Sequence, residues 1–140
     1  MTNIWRARRL PVKKEGNAMT LEPIAGPGPA VVLVRSDERV ITDPQSALDL
    51  AMSAKYTAGA DRIAIDKGLI AEDFFILSTG LAGEILQKFI NYHVKIAIYG
   101  DYSRYTSKPL KDFIYESNQG SDVFFTATED EAIRRLREAK

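Results

Sequence analysis

Between residues 81 and 91, apolar and polar side chains alternate at the period of a helix. Leu81, Ala82, Ile85, Leu86, Phe89 and Ile90 share one face, and Glu84, Gln87, Lys88 and Asn91 take the other. This helix is expected to start at a small-residue corner, Ser78-Thr79-Gly80, which follows an acidic and aromatic turn, Glu72-Asp73-Phe74-Phe75. Upstream, the β-branched run 30–34 predicts a strand, Ser36-Asp37-Glu38 a turn, and Arg39-Val40-Ile41 a second short strand closing a hairpin. Thr42 or Asp43 then caps a helix, with Pro44 in its first turn and Gln45 at capping-box spacing from Thr42. Its buried face runs from Ala47 and Leu48 through Ala51 and Met52 to Tyr56, and Gly59 ends it.

The segments 62–66 (RIAID), 94–99 and 122–127 read as further strands, the first apolar enough to be central. His93 is expected to begin the second of these. Between them falls a helix with Pro109 in its first turn, core residues Leu110, Phe113 and Ile114, and a stop at Asn118-Gln119-Gly120. Thr128 and Glu131 form the capping box of a last helix, whose basic end (Arg134, Arg135, Arg137, Lys140) opposes the negative pole of the helix dipole. The order β-β-α-β-α-β-α-β-α predicts an α/β domain, with a mixed five-strand sheet packed by four helices.

Composition adds limits. Hydrophobic content of 45% and charged content of 27% over 140 residues describe one ordinary globular domain. No run approaches the ~20 apolar residues of a membrane span. Without cysteine there is no disulfide and no thiolate, and the single His93 cannot build a histidine metal cluster. No cofactor and no metal are expected. Zero net charge argues against general nucleic-acid binding. Residues 1–18 carry Arg6, Arg8, Arg9, Lys13 and Lys14 against Glu15 alone, so the remainder is mildly acidic.

The first 29 residues read as a flexible leader, with 30–140 as the domain. Residues 21–29, with three prolines and two glycines, read as a loop. Lys14-Glu15-Gly16 can be encoded by AAGGAGG and one further base, a bacterial ribosome-binding sequence, and Met19 follows after a short spacer. Residues 1–18 are thus expected to be translated leader and Met19 the natural start.

In a parallel sheet, ligand crevices lie outside the carboxyl ends of the strands. That rule gathers Asp66, Lys67, Ser78, Thr79, Asp101, Arg104, Thr106, Ser107 and Lys108 on one rim. Gly80 opens the helix beside Ser78 and Thr79, where free backbone N–H groups suit an anion. No GxGxxG, GxxxxGK[ST] or GxSxG motif is present. Asp66 and Asp101 have the chemistry of acid/base groups, although strand-end carboxylates more often bond loop amides. The adjacent Glu72 and Asp73 could hold a cation, but such residues more often favour a helix dipole. Tyr99, Tyr102 and Tyr105 surround one loop with Arg104 and Lys108. In an acidic domain that combination reads better as a partner-protein surface than as a single-stranded nucleic-acid site.

The wording TGLAGEILQKF and YTSKPLKDFIYESN resembles a family of short bacterial proteins classed as a domain of unknown function, over roughly residues 30–140. More distantly, the element order resembles STAS domains, the sulfate-transporter and anti-sigma-factor-antagonist fold. In that fold a strand ending in Asp precedes a D-S-S-G-L-G-like corner at a helix start. Residues 62–66 are similar to the strand, Leu77-Ser78-Thr79-Gly80-Leu81-Ala82 to the corner, and Asp122 to Phe125 with Glu131-Ala132-Ile133 to the closing strand and helix. The resemblance implies that Ser78 is phosphorylated by a partner kinase. Two departures stand against it: Leu77 replaces the acidic residue before the serine, and EDFF lengthens the loop. Ser78 read as an N-cap alone is the plainer alternative.

The leading expectation is a cytoplasmic, non-enzymatic regulatory module binding a partner protein through the Ser78 corner and the loop 102–108. The alternative is a small-ligand or nucleotide-binding protein, or a small enzyme, using Asp66, Lys67, Asp101 and Lys108. A third reading is a structural homodimer pairing through an exposed sheet edge or an apolar helix face.

Overall fold

The computed structural model describes residues 10–14 and 17–140, with side chains from Met19 onward. Residues 1–9, 15 and 16 of the expected leader lie outside the described residues, including Arg6, Arg8, Arg9 and Glu15. Among the described residues, six strands form one sheet in chain order: β1 (Leu10–Lys14), β2 (Asn17–Pro23), β3 (Val32–Ser36), β4 (Arg62–Asp66), β5 (Lys95–Tyr99) and β6 (Val123–Thr126). β1, β2 and β3 are antiparallel neighbours, and β3 to β6 run parallel. The helices are α1 (Pro44–Met52), α2 (Leu81–Asn91), α3 (Lys108–Gln119) and α4 (Glu129–Glu138). The α/β class, the mixed sheet and the four helices match the expectation from sequence.

Strands that follow one another across the sheet, joined by crossovers of one hand, send their helices to one face. Accordingly Leu50 of α1, Ile85 and Phe89 of α2 and Leu110 of α3 share a core with Val32, Ile63, Ile96 and Phe125. Helix α4 follows the last strand and takes the opposite face, where Ala132, Ile133 and Leu136 pack on Leu33, Ala64, Ala97 and Phe124. The period-two alternation of each strand divides its side chains between the two cores.

Three expectations about the first half of the chain are corrected. The antiparallel neighbour of β3 is β2, not residues 39–41. Met19 and Leu21 alternate onto the helix-covered face and are buried, and Pro23 sits at the strand's end, where its missing N–H breaks no interior ladder. The described part of the expected flexible leader therefore lies largely in the sheet, and the loop begins after Pro23. With β2 holding that edge of β3, Val40 and Ile41 instead send their N–H groups to Leu69 O at 2.7 and 3.1 Å, and Ile41 makes one parallel bridge with Ile70. The capping box of α1 is Asp43–Ser46 rather than Thr42–Gln45. Ser46 N donates to Asp43 Oδ1 at 2.7 Å, and Asp43 N donates to Ser46 Oγ at 3.0 Å.

Two helix ends also differ. α1 runs on through a π-helical turn, Ser53–Thr57, whose wider winding buries Ala54 and leaves Tyr56 70% exposed. His93 does not begin a strand; it closes α2 with φ 58°, in the left-handed region. His93 N donates to Ile90 O at 3.1 Å and Val94 N to Phe89 O at 2.9 Å, the paired bonds of a Schellman turn. The basic end of α4 is spent on backbone carbonyls of other segments. Arg135 Nη2 donates to Asn118 O at 2.7 Å, and Arg137 Nη2 donates to Ile24 O at 2.9 Å.

Candidate functional site

The chain between β4 and α2 makes three short 3₁₀ turns, Lys67–Leu69, Glu72–Phe75 and Leu77–Thr79. Each turn carries the segment sideways along the carboxyl edge of the sheet, until it faces the loop between β5 and α3. Phe74 and Phe75 anchor it. Phe74 is buried and lies edge-on to Phe75, and Phe75 stacks on Tyr105 with ring centroids 5.2 Å apart. A polar tie joins the same two segments. Glu72 Oε1 accepts from Arg104 Nη2 at 2.8 Å and from the Tyr105 hydroxyl at 3.1 Å. The side chains of this pair are 66% and 44% exposed, so water screens the ion pair and the ring contacts carry the joint.

Beside this joint opens a groove of about 390 Å³. One wall is Glu72, Phe75, Leu77 and Ser78, and the other is Arg104, Tyr105, Thr106, Ser107 and Leu110. Ile76 stands on its rim and is 49% exposed. The groove's lining is mostly apolar and also carries hydroxyls, the Glu72 carboxylate and one guanidinium. It brings together Ser78, Arg104, Tyr105, Thr106 and Ser107 of the residues expected on the rim.

The other expected residues go elsewhere. Thr79 folds its hydroxyl onto its own turn, donating towards Ile76 O at 2.9 Å and accepting from Leu81 N at 3.2 Å. The reading of Ser78 as an N-cap is corrected: Gly80 occupies that position with φ 77°, and Thr79 supplies the local oxygen. Ser78 itself is exposed. Asp66 Oδ1 accepts from Gly68 N at 2.7 Å, and Asp101 Oδ1 accepts from Ser103 N at 2.9 Å, so both strand-end carboxylates bond loop amides. The Ser103 amide bond holds the Asp101 carboxyl below its ordinary value. Lys67 rests its stem against Gly100 and its ammonium over the rings of Tyr105 and Phe75, at 5.0 and 5.7 Å. Lys108 pairs with Asp112 one helical turn on, at 2.7 Å. Tyr102 points inward, donating to Ile98 O at 2.6 Å, and burial pushes its hydroxyl well above the ordinary tyrosine range.

A second polar cluster lies on the α4 face of the sheet. Arg35 sits between Glu129 at 3.3 Å and the buried Glu22 at 3.7 Å, and Tyr99 Oη lies 3.4 Å from Glu129 Oε1. Burial pushes the Tyr99 hydroxyl up to about 12. A crevice of about 270 Å³ adjoins it, lined by Arg35, Ser36, Asp66 and Tyr99. Sequence reasoning missed Glu22, Arg35 and Glu129 because they belong to three separate elements. The alternation of β2 and β3 was the available signal, since it sets Glu22 and Arg35 on the same face.

Residues 27–136 match the model of a family described as a domain of unknown function, DUF4180. The chain belongs to that family. No curated protein and no solved structure matches it. The DUF4180 segment takes in β3 to β6 and three of the four helices completely, so the groove lies wholly inside it; β1 and β2 precede it. Among the described residues, no helix of this DUF4180 protein is long and apolar enough to cross a membrane.

Proposed function

We propose that this DUF4180 domain is a cytoplasmic, non-enzymatic module that binds a partner protein in the groove between the Ser78 turn and the Tyr105 loop. The observation that carries the reading is the groove itself. Two loops from different strand ends meet there through the Phe75–Tyr105 stack, leaving an exposed Ile76 and a mostly apolar lining that also bears hydroxyls. Interfaces favour aromatic and arginine anchors in such a setting, with polar groups at the rim. The STAS resemblance supports the same reading, because β4 ends in Asp66 and the chain then forms a corner at the start of α2. Phosphorylation of Ser78 is the proposed switch. The exposed hydroxyl lies on the groove wall, and a phosphate would bring nearly two negative charges to it.

The experiment compares affinity-captured proteins from the native host on wild type, Tyr105→Ala, Ser78→Glu and a remote control, Asn91→Ala. At least one protein captured by wild type and by the control is expected to fall about tenfold or more on Tyr105→Ala, the loss of an anchor residue, and to change on Ser78→Glu. Identical capture by all four chains would defeat the proposal.

A small-ligand reading is favoured by one observation, the crevice beside Asp66, Arg35 and Tyr99. It does not use the expected set of Asp66, Lys67, Asp101 and Lys108 together, since Lys108 is engaged on α3. Saturable binding of a nucleotide, abolished by Asp66→Ala, would favour it over the groove.

A further inference from the structure

Strand β6 closes the sheet on one side, and among the described residues its only ladder partner is β5. Its four residues, Val123, Phe124, Phe125 and Thr126, are uncharged and rich in aromatic and β-branched side chains. Such an edge invites pairing with another strand, because its outward peptide groups are unsatisfied. Phe125 meets that difficulty with a side chain. Its N–H donates to Asn118 Oδ1 at 2.8 Å, and its C=O accepts from Asn118 Nδ2 at 3.1 Å. A carboxamide carries the same donor and acceptor as a peptide group, so Asn118 stands where one residue of a neighbouring strand would stand. The position is fixed from behind. Asn118 O accepts from Arg135 Nη2 at 2.7 Å, and the Arg135 guanidinium lies 4.4 Å over the Phe124 ring.

We infer that Asn118 is a lock on the outer edge of β6, keeping its Phe125 peptide group from pairing with the same strand of a second copy of this chain. The edge's own character points to a second copy. It has no charge to select a different partner, and an identical uncharged strand is its nearest complement. The lock also explains why Asn118 lies where α3 ends: a helix terminus at that point brings a short side chain to the strand without bending the sheet.

The test is site-resolved hydrogen exchange on wild type and Asn118→Ala. In dilute Asn118→Ala, the Phe125 amide is expected to exchange about tenfold faster, because one hydrogen bond of ordinary strength is gone. As concentration rises, protection at Phe125 should return while light scattering reports dimers; in wild type neither quantity should change. Unaltered exchange at Phe125 in the dilute variant would overturn the lock. Fast exchange with no association at any concentration would overturn the second-copy reading. Should Asn118→Ala not fold, Asn118→Asp decides the point, since it keeps the acceptor for Phe125 N–H. Retained protection there supports the lock, and lost protection overturns it.

Discussion

Tyr105 lines the groove with its ring stacked on Phe75. Tyr102 turns inward between Phe75 and Phe125, its hydroxyl donating a hydrogen bond to Ile98 O, while Tyr99 faces the opposite core beside Glu129. Both hydroxyls lie above their ordinary value, chiefly through burial, with Tyr99 at about 12. The folded protein then holds these protons more tightly than the unfolded chain does. Stability is complete below about pH 10 and falls as pH rises through the folded values. Ultraviolet titration of the phenols is therefore expected to find two of the six tyrosines ionising only as the protein unfolds. Six phenols titrating together near the ordinary value would contradict this. Three tyrosines around one loop suggest a single partner-facing surface, and Glu72 beside Asp73 suggests a helix-dipole or cation residue; in the fold two of the tyrosines turn inward, and Glu72 is the acceptor that joins Arg104 and Tyr105.

At the scale of elements, strands β3 to β6 and all four helices were legible because their apolar periodicity is strong and Gly or Pro marks most of the boundaries. β2 was not, because Pro23, Pro27, Pro29 and two glycines obscure the alternation of Met19 and Leu21, which only pairing with β3 makes meaningful. The loop after it is held from far along the chain. A Cβ on Gly26 would lie 2.5 Å from Arg137 Nη1, so the guanidinium seats on a backbone that only glycine leaves open. The end of α2 was misread for a different reason. Nothing in the stretch Tyr92-His93-Val94 resembles a glycine stop, yet His93 adopts the left-handed conformation that a Schellman turn demands. A side chain there costs about 1–2 kcal/mol, and glycine's extra chain entropy offsets about half of it. His93→Gly is therefore expected to stabilise the protein by about 0.5–1 kcal/mol in urea unfolding. Destabilisation of that size would show that His93 makes a contact outweighing its backbone strain.

For the whole molecule, the expectation that nine residues gather on one rim at the carboxyl ends of the parallel strands is too generous in membership. Topology alone gathers nine residues; the fold joins Ser78 to Arg104, Tyr105, Thr106 and Ser107 in one groove. Asp66 is directed to a separate crevice, and Asp101 and Lys108 are engaged within their own segments. What topology lacks is the sideways travel of the three 3₁₀ turns, which comes from the EDFF extension and the burial of its phenylalanines. That segment separates the corner from the strand end and forms one groove wall, so it shapes the candidate interface. The measurement that tests the interface most directly is hydrogen exchange of the domain with and without the partner whose capture depends on Tyr105. New protection is expected in residues 72–78 and 104–110, with little change at the exposed face of α1. Protection gained elsewhere, with these two segments unaltered, would contradict it.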